Sequence, residues 1–234
     1  SLSNLSDDRM RHAKSGQWWN DNKQRALANN SACYTEKPDM GIFMDEWKAL
    51  YDSKSGERGI FNRASANKQA AKNGRREIEG HDFGTNPCSE IILRDRGFCN
   101  LSEVVIREND TEETLLEKVR LATILGTFQS TLTNFKYLSS AWKKNCEEER
   151  LLGVSLTGIM DCKLTNGKDK NLEQLLTELR EVAVETNKVW AKKLGINQSV
   201  SITCVKPSGT VSQLVDAASG IHARHNPFYI RTVR

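Results

Sequence analysis

Hydrophobic and polar positions alternate with two different periods along this chain. Over residues 40–51, Ile42, Phe43, Trp47, Leu50 and Tyr51 fall at helical spacing, and residues 172–194 extend that pattern into a long amphipathic helix ended by Gly195. Residues 7–13 predict a short helix behind Ser6 as its cap, broken by Gly16. A further helix is predicted over residues 112–135, because Asp110 or Thr111 can cap it and Glu112 and Glu113 put carboxylates in its first turn. Residues 139–149 predict another. The best strand pattern is 97–107, centred on Val104, Val105 and Ile106, with weaker ones at 30–35 and 199–205. Residues 151–160 are apolar with small residues interleaved and fit either a strand or a buried helix. The basic stretch 63–79, with Asn73-Gly74 as a turn, reads as mostly solvated, and 53–59 as a loop. Strands alternating with long helices predict an α/β fold with largely parallel strands, and we expect one structural unit over residues 1–234.

Bulk composition narrows the partners without naming one. Lys and Arg total 34 against 30 Asp and Glu, a net charge of +4 that argues for neither a nucleic-acid nor a membrane surface. No apolar run approaches the roughly 20 residues that span a bilayer, and no signal-peptide pattern opens the chain, so a cytoplasmic protein is expected. The six cysteines lie far apart with no C-x-x-C unit, which predicts reduced thiols and no zinc site. Ser1-Leu2-Ser3-Asn4-Leu5 has no initiator Met before it, and the chain reads as a fragment.

The chemistry concentrates in a polar loop at residues 84–90, within a segment of about 80–93, followed by apolar Ile91-Ile92-Leu93. Asn86-Pro87-Cys88-Ser89-Glu90 combines a one-electron sulfur centre, a base and a neutral hydrogen-bonding group, and in an extended segment positions 86, 88 and 90 project to one side. The competing reading is that Cys88 is a small packed side chain, as free cysteines usually are. Cys99 follows at the start of the strong strand. Farther on, Pro207-Ser208-Gly209-Thr210 turns a predicted strand into a helix, where backbone N–H groups and hydroxyls suit a phosphate; ordinary capping by Ser208 or Thr210 explains the same residues. It is not a Walker loop, since no Gly-Lys-Ser/Thr follows. Cys146, Cys162 and Cys204 suit packing, and Trp18 and Trp19 suit a core or an interface. His81, His222 and His225 offer metal-ligating nitrogens, but no complete ligand set accompanies them.

Asn86-Pro87-Cys88-Ser89-Glu90-Ile91 and then Gly97-Phe98-Cys99-Asn100-Leu101-Ser102 resemble the catalytic loop and following barrel strand of ribonucleotide reductases, with a short Cys88-to-Cys99 spacing like that of the adenosylcobalamin-dependent (class II) members. Ser55-Gly56-Glu57-Arg58-Gly59-Ile60-Phe61 and Leu152-Gly153-Val154-Ser155-Leu156-Thr157-Gly158 resemble further segments of that family. Val205-Lys206-Pro207-Ser208-Gly209-Thr210-Val211-Ser212 resembles its substrate-phosphate loop, about 206–213. The resemblance implies part of a ten-stranded α/β barrel, mainly its second half, truncated at both ends. It implies Cys88 as the radical thiol, Glu90 as base, Asn86 as holder of the ribose hydroxyls and Cys99 as one of a reducing thiol pair. It also implies adenosylcobalamin as cofactor, a ribonucleoside di- or triphosphate as substrate, and thioredoxin or glutaredoxin as reductant of the full-length enzyme. Cys33 lies too near Cys88 to be the expected partner of Cys99, so the chain alone should not turn over without the missing barrel segments. A glycyl-radical barrel enzyme and a non-catalytic nucleotide-phosphate module are the competing assignments.

Overall fold

The computed structural model of the chain describes residues 2–54, 58–226, 228 and 230. Ser55, Gly56 and Glu57, which open one of the resembling segments, lie outside the described residues. The chain forms two compact units that meet between Asp95 and Arg96.

The first unit is built on a parallel three-stranded sheet in the order β1 (Leu2–Asn4), β2 (Ser31–Tyr34), β3 (Gly59–Asn62). Between β1 and β2 lie the short helices α1 (Asp8–Arg11) and α2 (Trp18–Asp21). Asp7, not Ser6, caps α1, accepting from the Met10 amide at 3.0 Å, and Gly16 follows at φ +65°. Helix α3 (Met40–Ser53) crosses from β2 to β3, as its apolar spacing predicts, with Asp39 accepting from the Gly41 and Ile42 amides. After β3 the basic stretch is not mostly solvated. It forms α4 (Arg63–Ala71), capped by Asn62, with Ala66 and Ala70 buried. The methyls of those alanines supply the apolar stripe that a reading of the flanking charges overlooked. Trp19 is exposed, so it is no core residue.

A buried ion cluster fastens this unit. The Arg58 guanidinium donates to Glu46 on α3 at 2.6 and 2.8 Å and to Ser3 Oγ at 2.6 Å, and Arg11 Nε donates to Glu46 at 3.1 Å. Burial raises the Glu46 pKa, but the hydrogen bonds and charges of Arg58 and Arg11 outweigh it and hold the carboxyl below its usual range.

The second unit packs two long helices on the parallel pair β6 (Leu101–Val105) and β7 (Gly153–Thr157), which follow the short hairpin strands β4 (Gly84–Thr85) and β5 (Ile92–Leu93) in the sequence. Residues 151–160 are thus resolved in favour of a strand. Helix α5 (Glu112–Gln129) begins in a reciprocal cap between Thr111 and Thr114 and stops short of residue 135. Then come α6 (Ser140–Glu149), α7 (Leu172–Leu194) and α8 (Thr210–Leu214). Helix α7 has the bounds its amphipathic pattern predicts, and Gly195 caps it at φ +66°. Leu115, Val119, Leu175, Leu179 and Ala183 meet Val104, Ile106 and Val154 in one core.

Thr123, Thr127 and Asn187, buried beside that core, are hydrogen-bonded. Thr123 and Thr127 donate to the carbonyls one turn earlier at 2.7 Å, and Asn187 on α7 donates to Thr127 Oγ1 and Ser199 Oγ while accepting from the Ser199 amide. The strand expected over 199–205 is present only as a single parallel bridge between Thr203 and Val154, although Leu152 and Val154 donate to Ser201 and Ile202 carbonyls at 3.0 and 2.8 Å. Asn187 takes the Ser199 amide, which starts that segment on a side-chain bond in place of a ladder bond. Among the described residues no helix is long and apolar enough to cross a membrane.

Candidate active site

In the first unit, residues 86–91 form the turn of an antiparallel hairpin made by β4 and β5. The base of the turn is closed by Asn86. Its amide donates to the Ile91 carbonyl at 3.3 Å, and its side-chain Oδ1 accepts from the Ile91 amide at 3.0 Å. Thr85 Oγ1 donates to the same Ile91 carbonyl at 3.1 Å. Ser89 then donates to the Asn86 carbonyl at 3.1 Å and takes a left-handed φ of +63°. A turn of this kind destroys strand alternation. Asn86 is buried and Cys88 exposed, so the expectation of one common face for positions 86, 88 and 90 does not hold, and Pro87 and Ser89 are exposed beside Cys88. Glu90 is half-buried, with both carboxylate oxygens shielded from solvent.

The hairpin is supported from beneath. Arg63 Nε, at the start of α4, donates to the Phe83 carbonyl at 2.8 Å, and Arg76 Nη1 donates to the Ile92 carbonyl at 2.9 Å. The Arg76 guanidinium also lies 4.5 Å from the centre of the fully buried Phe83 ring. Ile92 packs on the small core of Cys33, Phe61 and Ala66. Cys33 is therefore a packed residue, and its burial pushes the thiol pKa up. His81 lies 6.0 Å from the Phe83 ring, and among the described residues no three His, Cys, Asp or Glu side chains gather as a metal site.

In the second unit, Cys99 is exposed just before β6. It lines a cleft of about 240 Å³ with Cys146 of α6, beside the ring of Phe98, which packs on Phe135 and Trp142 at 5.0 and 4.7 Å. Burial raises the Cys146 thiol pKa, and the Phe98 backbone amide beside it opposes that rise. A separation of 47 residues hides this juxtaposition from the sequence. Cys162 is buried in the main core, as packing predicts.

The Pro207-Ser208-Gly209-Thr210-Val211-Ser212 loop presents two kinds of residue. Ser208 and Ser212 are buried and turned inward: Ser212 donates from its amide to Ser208 Oγ at 3.1 Å and from its hydroxyl to the Ser208 carbonyl at 2.8 Å. Pro207, Gly209, Thr210 and Val211 are exposed. The loop thus uses its serines to shape the backbone and offers Gly209, Thr210 and Val211 to solvent.

No protein-family profile matches the chain. Among curated proteins it is 27% identical over 212 aligned positions to the adenosylcobalamin-dependent ribonucleoside-triphosphate reductase of Lactobacillus leichmannii, covering 77% of this chain and 28% of that protein. To the protein of the same name from Lactobacillus gasseri it is 28% identical over 240 positions, covering 90% of this chain and 31% of the relative. A crystal structure of a B12-dependent (class II) ribonucleotide reductase superposes with a TM-score of 0.65 at 24% identity, over 94% of this chain and 34% of that one. Over most of its length the chain is similar to class II ribonucleotide reductases. It shares the α/β fold of part of such a reductase and spans about a third of the length of the proteins it matches.

Proposed function

We propose that this chain is a catalytic-barrel segment of an adenosylcobalamin-dependent ribonucleotide reductase, with the Asn86-to-Glu90 hairpin as its radical loop and a ribonucleoside triphosphate as substrate. The observation that carries the proposal is the exposed Cys88 at the tip of a hairpin whose base is buried and braced, in a chain aligned over most of its length with reductases of that name. Adenosylcobalamin, when bound, supplies the one-electron chemistry of a homolysed cobalt–carbon bond. An exposed thiol fits that chemistry, because a hydrogen atom can leave the Cys88 sulfur only where another molecule reaches it.

The Cys88 thiyl takes the 3'-hydrogen of the ribose. Glu90 accepts the 3'-hydroxyl proton, which requires an ionised carboxylate within hydrogen-bond reach. Asn86 has its Oδ1 committed to Ile91, so the Nδ2 end of its amide is the part offered to a ribose hydroxyl. Loss of the 2'-hydroxyl as water consumes two electrons, released as two thiols close to a disulfide; Cys99 is one of them, and its partner comes from outside these residues. Thioredoxin or glutaredoxin then returns the pair to thiols. The loop of residues 207–212 holds the substrate phosphates through the exposed Gly209, Thr210 and Val211 backbone.

A titration with cytidine triphosphate and with adenosylcobalamin tests the assignment. Saturable binding of both is expected. Phosphate binding that ignores both ribose and cobalamin leaves only a phosphate-binding module.

A further inference from the structure

We infer that Arg224 is a positioning residue for the loop of residues 207–212, acting through Asp161 and the segment 217–220. The inference rests on the phosphate-loop reading above and deepens it.

Besides its own Ser208–Ser212 bonds, the loop is held by residues outside it. Ser219 donates from its hydroxyl to the Ser208 carbonyl, a bond that pins the loop where its backbone turns outward. Gly220, at φ +55°, lies so close to the Lys206 carbonyl and the Ser208 amide that an added Cβ would stand 3.0 and 3.4 Å from them. The position of residues 219 and 220 therefore sets the position of residues 206–208. Segment 217–220 is in turn tied to the end of β7. The Gly158 amide and Thr157 Oγ1 donate to the Ala218 carbonyl at 2.8 and 3.0 Å, the Gly220 amide donates to Thr157 Oγ1 at 2.9 Å, and the Ala218 amide donates to Asp161 Oδ2 at 2.8 Å.

Asp161 is the one charged link in that chain, and Arg224 orients it. Nε and Nη2 of Arg224 donate to the two Asp161 oxygens at 3.0 and 3.2 Å, a bidentate pair that fixes the carboxylate plane. The same guanidinium donates to the Asp216 carboxylate at 2.8 Å and to its carbonyl at 2.9 Å. Arg107, at the end of β6, donates to the carbonyls of Asp216 and Val215 at 2.7 and 2.6 Å. Asp216 sits at φ +47°, a left-handed conformation that a non-glycine residue keeps only when its surroundings impose it. Arg224 therefore holds both ends of the turn from α8 into segment 217–220. Its fork geometry matters as well as its charge, since lysine can meet one carboxylate oxygen as a point charge but cannot span two.

Amide hydrogen exchange over residues 206–212 of the 234-residue chain, with inorganic tripolyphosphate, cytidine triphosphate or cytidine as probe, tests this assignment. The wild-type chain should show slowed exchange with both phosphates and none with cytidine. In Arg224→Ala the affinity for both phosphates should fall about tenfold, Arg224→Lys should regain only part of it, and Asp161→Asn should resemble Arg224→Ala. Unchanged phosphate affinity in Arg224→Ala and Asp161→Asn, with wild-type binding intact, overturns the role of Arg224 and leaves the phosphate loop standing. Absence of phosphate protection in the wild type overturns the loop reading and this inference together. Loss of the whole fold in both variants, seen by far-UV circular dichroism, also overturns it, because the pair would then be a determinant of folding. An ion pair whose Arg224 side is half-exposed is expected to leave the fold in place.

Discussion

Single side chains set the geometry of the hairpin more than its chemistry reveals. Asn86 occupies one of its acceptors in closing the turn on the Ile91 amide, so Asn86→Ala leaves a buried N–H without its partner, a cost of about 1–3 kcal/mol. Faster amide exchange at Ile91 and Ser89, with the rest of the first unit unchanged, is the expected result. Glu46 is the clearest titrating residue. Its carboxyl is held below the usual range in the folded chain, so its contribution to stability is complete above the ordinary glutamate value of about 4.3 and is lost as pH falls through the lower folded value. Urea unfolding between about pH 3 and 6 should show that loss in the wild type and a shallower slope in Glu46→Gln. Arg58→Ala, which leaves the buried Glu46 carboxylate with Arg11 alone, should cost up to about 3–5 kcal/mol at neutral pH.

At the scale of elements, backbone conformation decides what a substitution does. Gly158 leaves β7 at φ +77°, and an added Cβ would stand 2.5 Å from the Ile106 carbonyl. Gly158→Ala should therefore destabilise the second unit by about 1–3 kcal/mol or more in urea unfolding, whereas an alanine at Gly167, with nothing nearby, meets only the cost of its positive φ. Helices α3 and α7 were legible in the sequence because each has a polar start and a sustained apolar stripe. Helix α4 was not, since its buried face is two alanines among polar neighbours. The segment 199–205 looked like a strand from its β-branched residues, but ladder bonds depend on a neighbour's register that no local pattern contains. The same limit explains the site. Asn86, Cys88, Glu90 and Cys99 are proposed on spacing and resemblance, and the turn that buries Asn86 and exposes Cys88 is local, whereas the cleft shared by Cys99 and Cys146 and the Asp161–Arg224 pair depend on residues far apart in sequence.

For the whole molecule, the proposal calls for more polypeptide than these residues supply, since it places the partner of Cys99 outside them and the relatives are about three times as long. Cys88 and Cys99 should then fail differently. With Cys99→Ser the radical is still formed and the 3'-hydrogen still exchanges, but reduction at the 2'-carbon stops. The most direct test of the central claim is deoxycytidine triphosphate formation from cytidine triphosphate, with adenosylcobalamin and a dithiol reductant, by a polypeptide joining this chain to its flanking barrel segments. The account predicts product from the wild-type sequence and none from Cys88→Ser with an unchanged circular dichroism spectrum. Product formed by Cys88→Ser at the wild-type rate would contradict it.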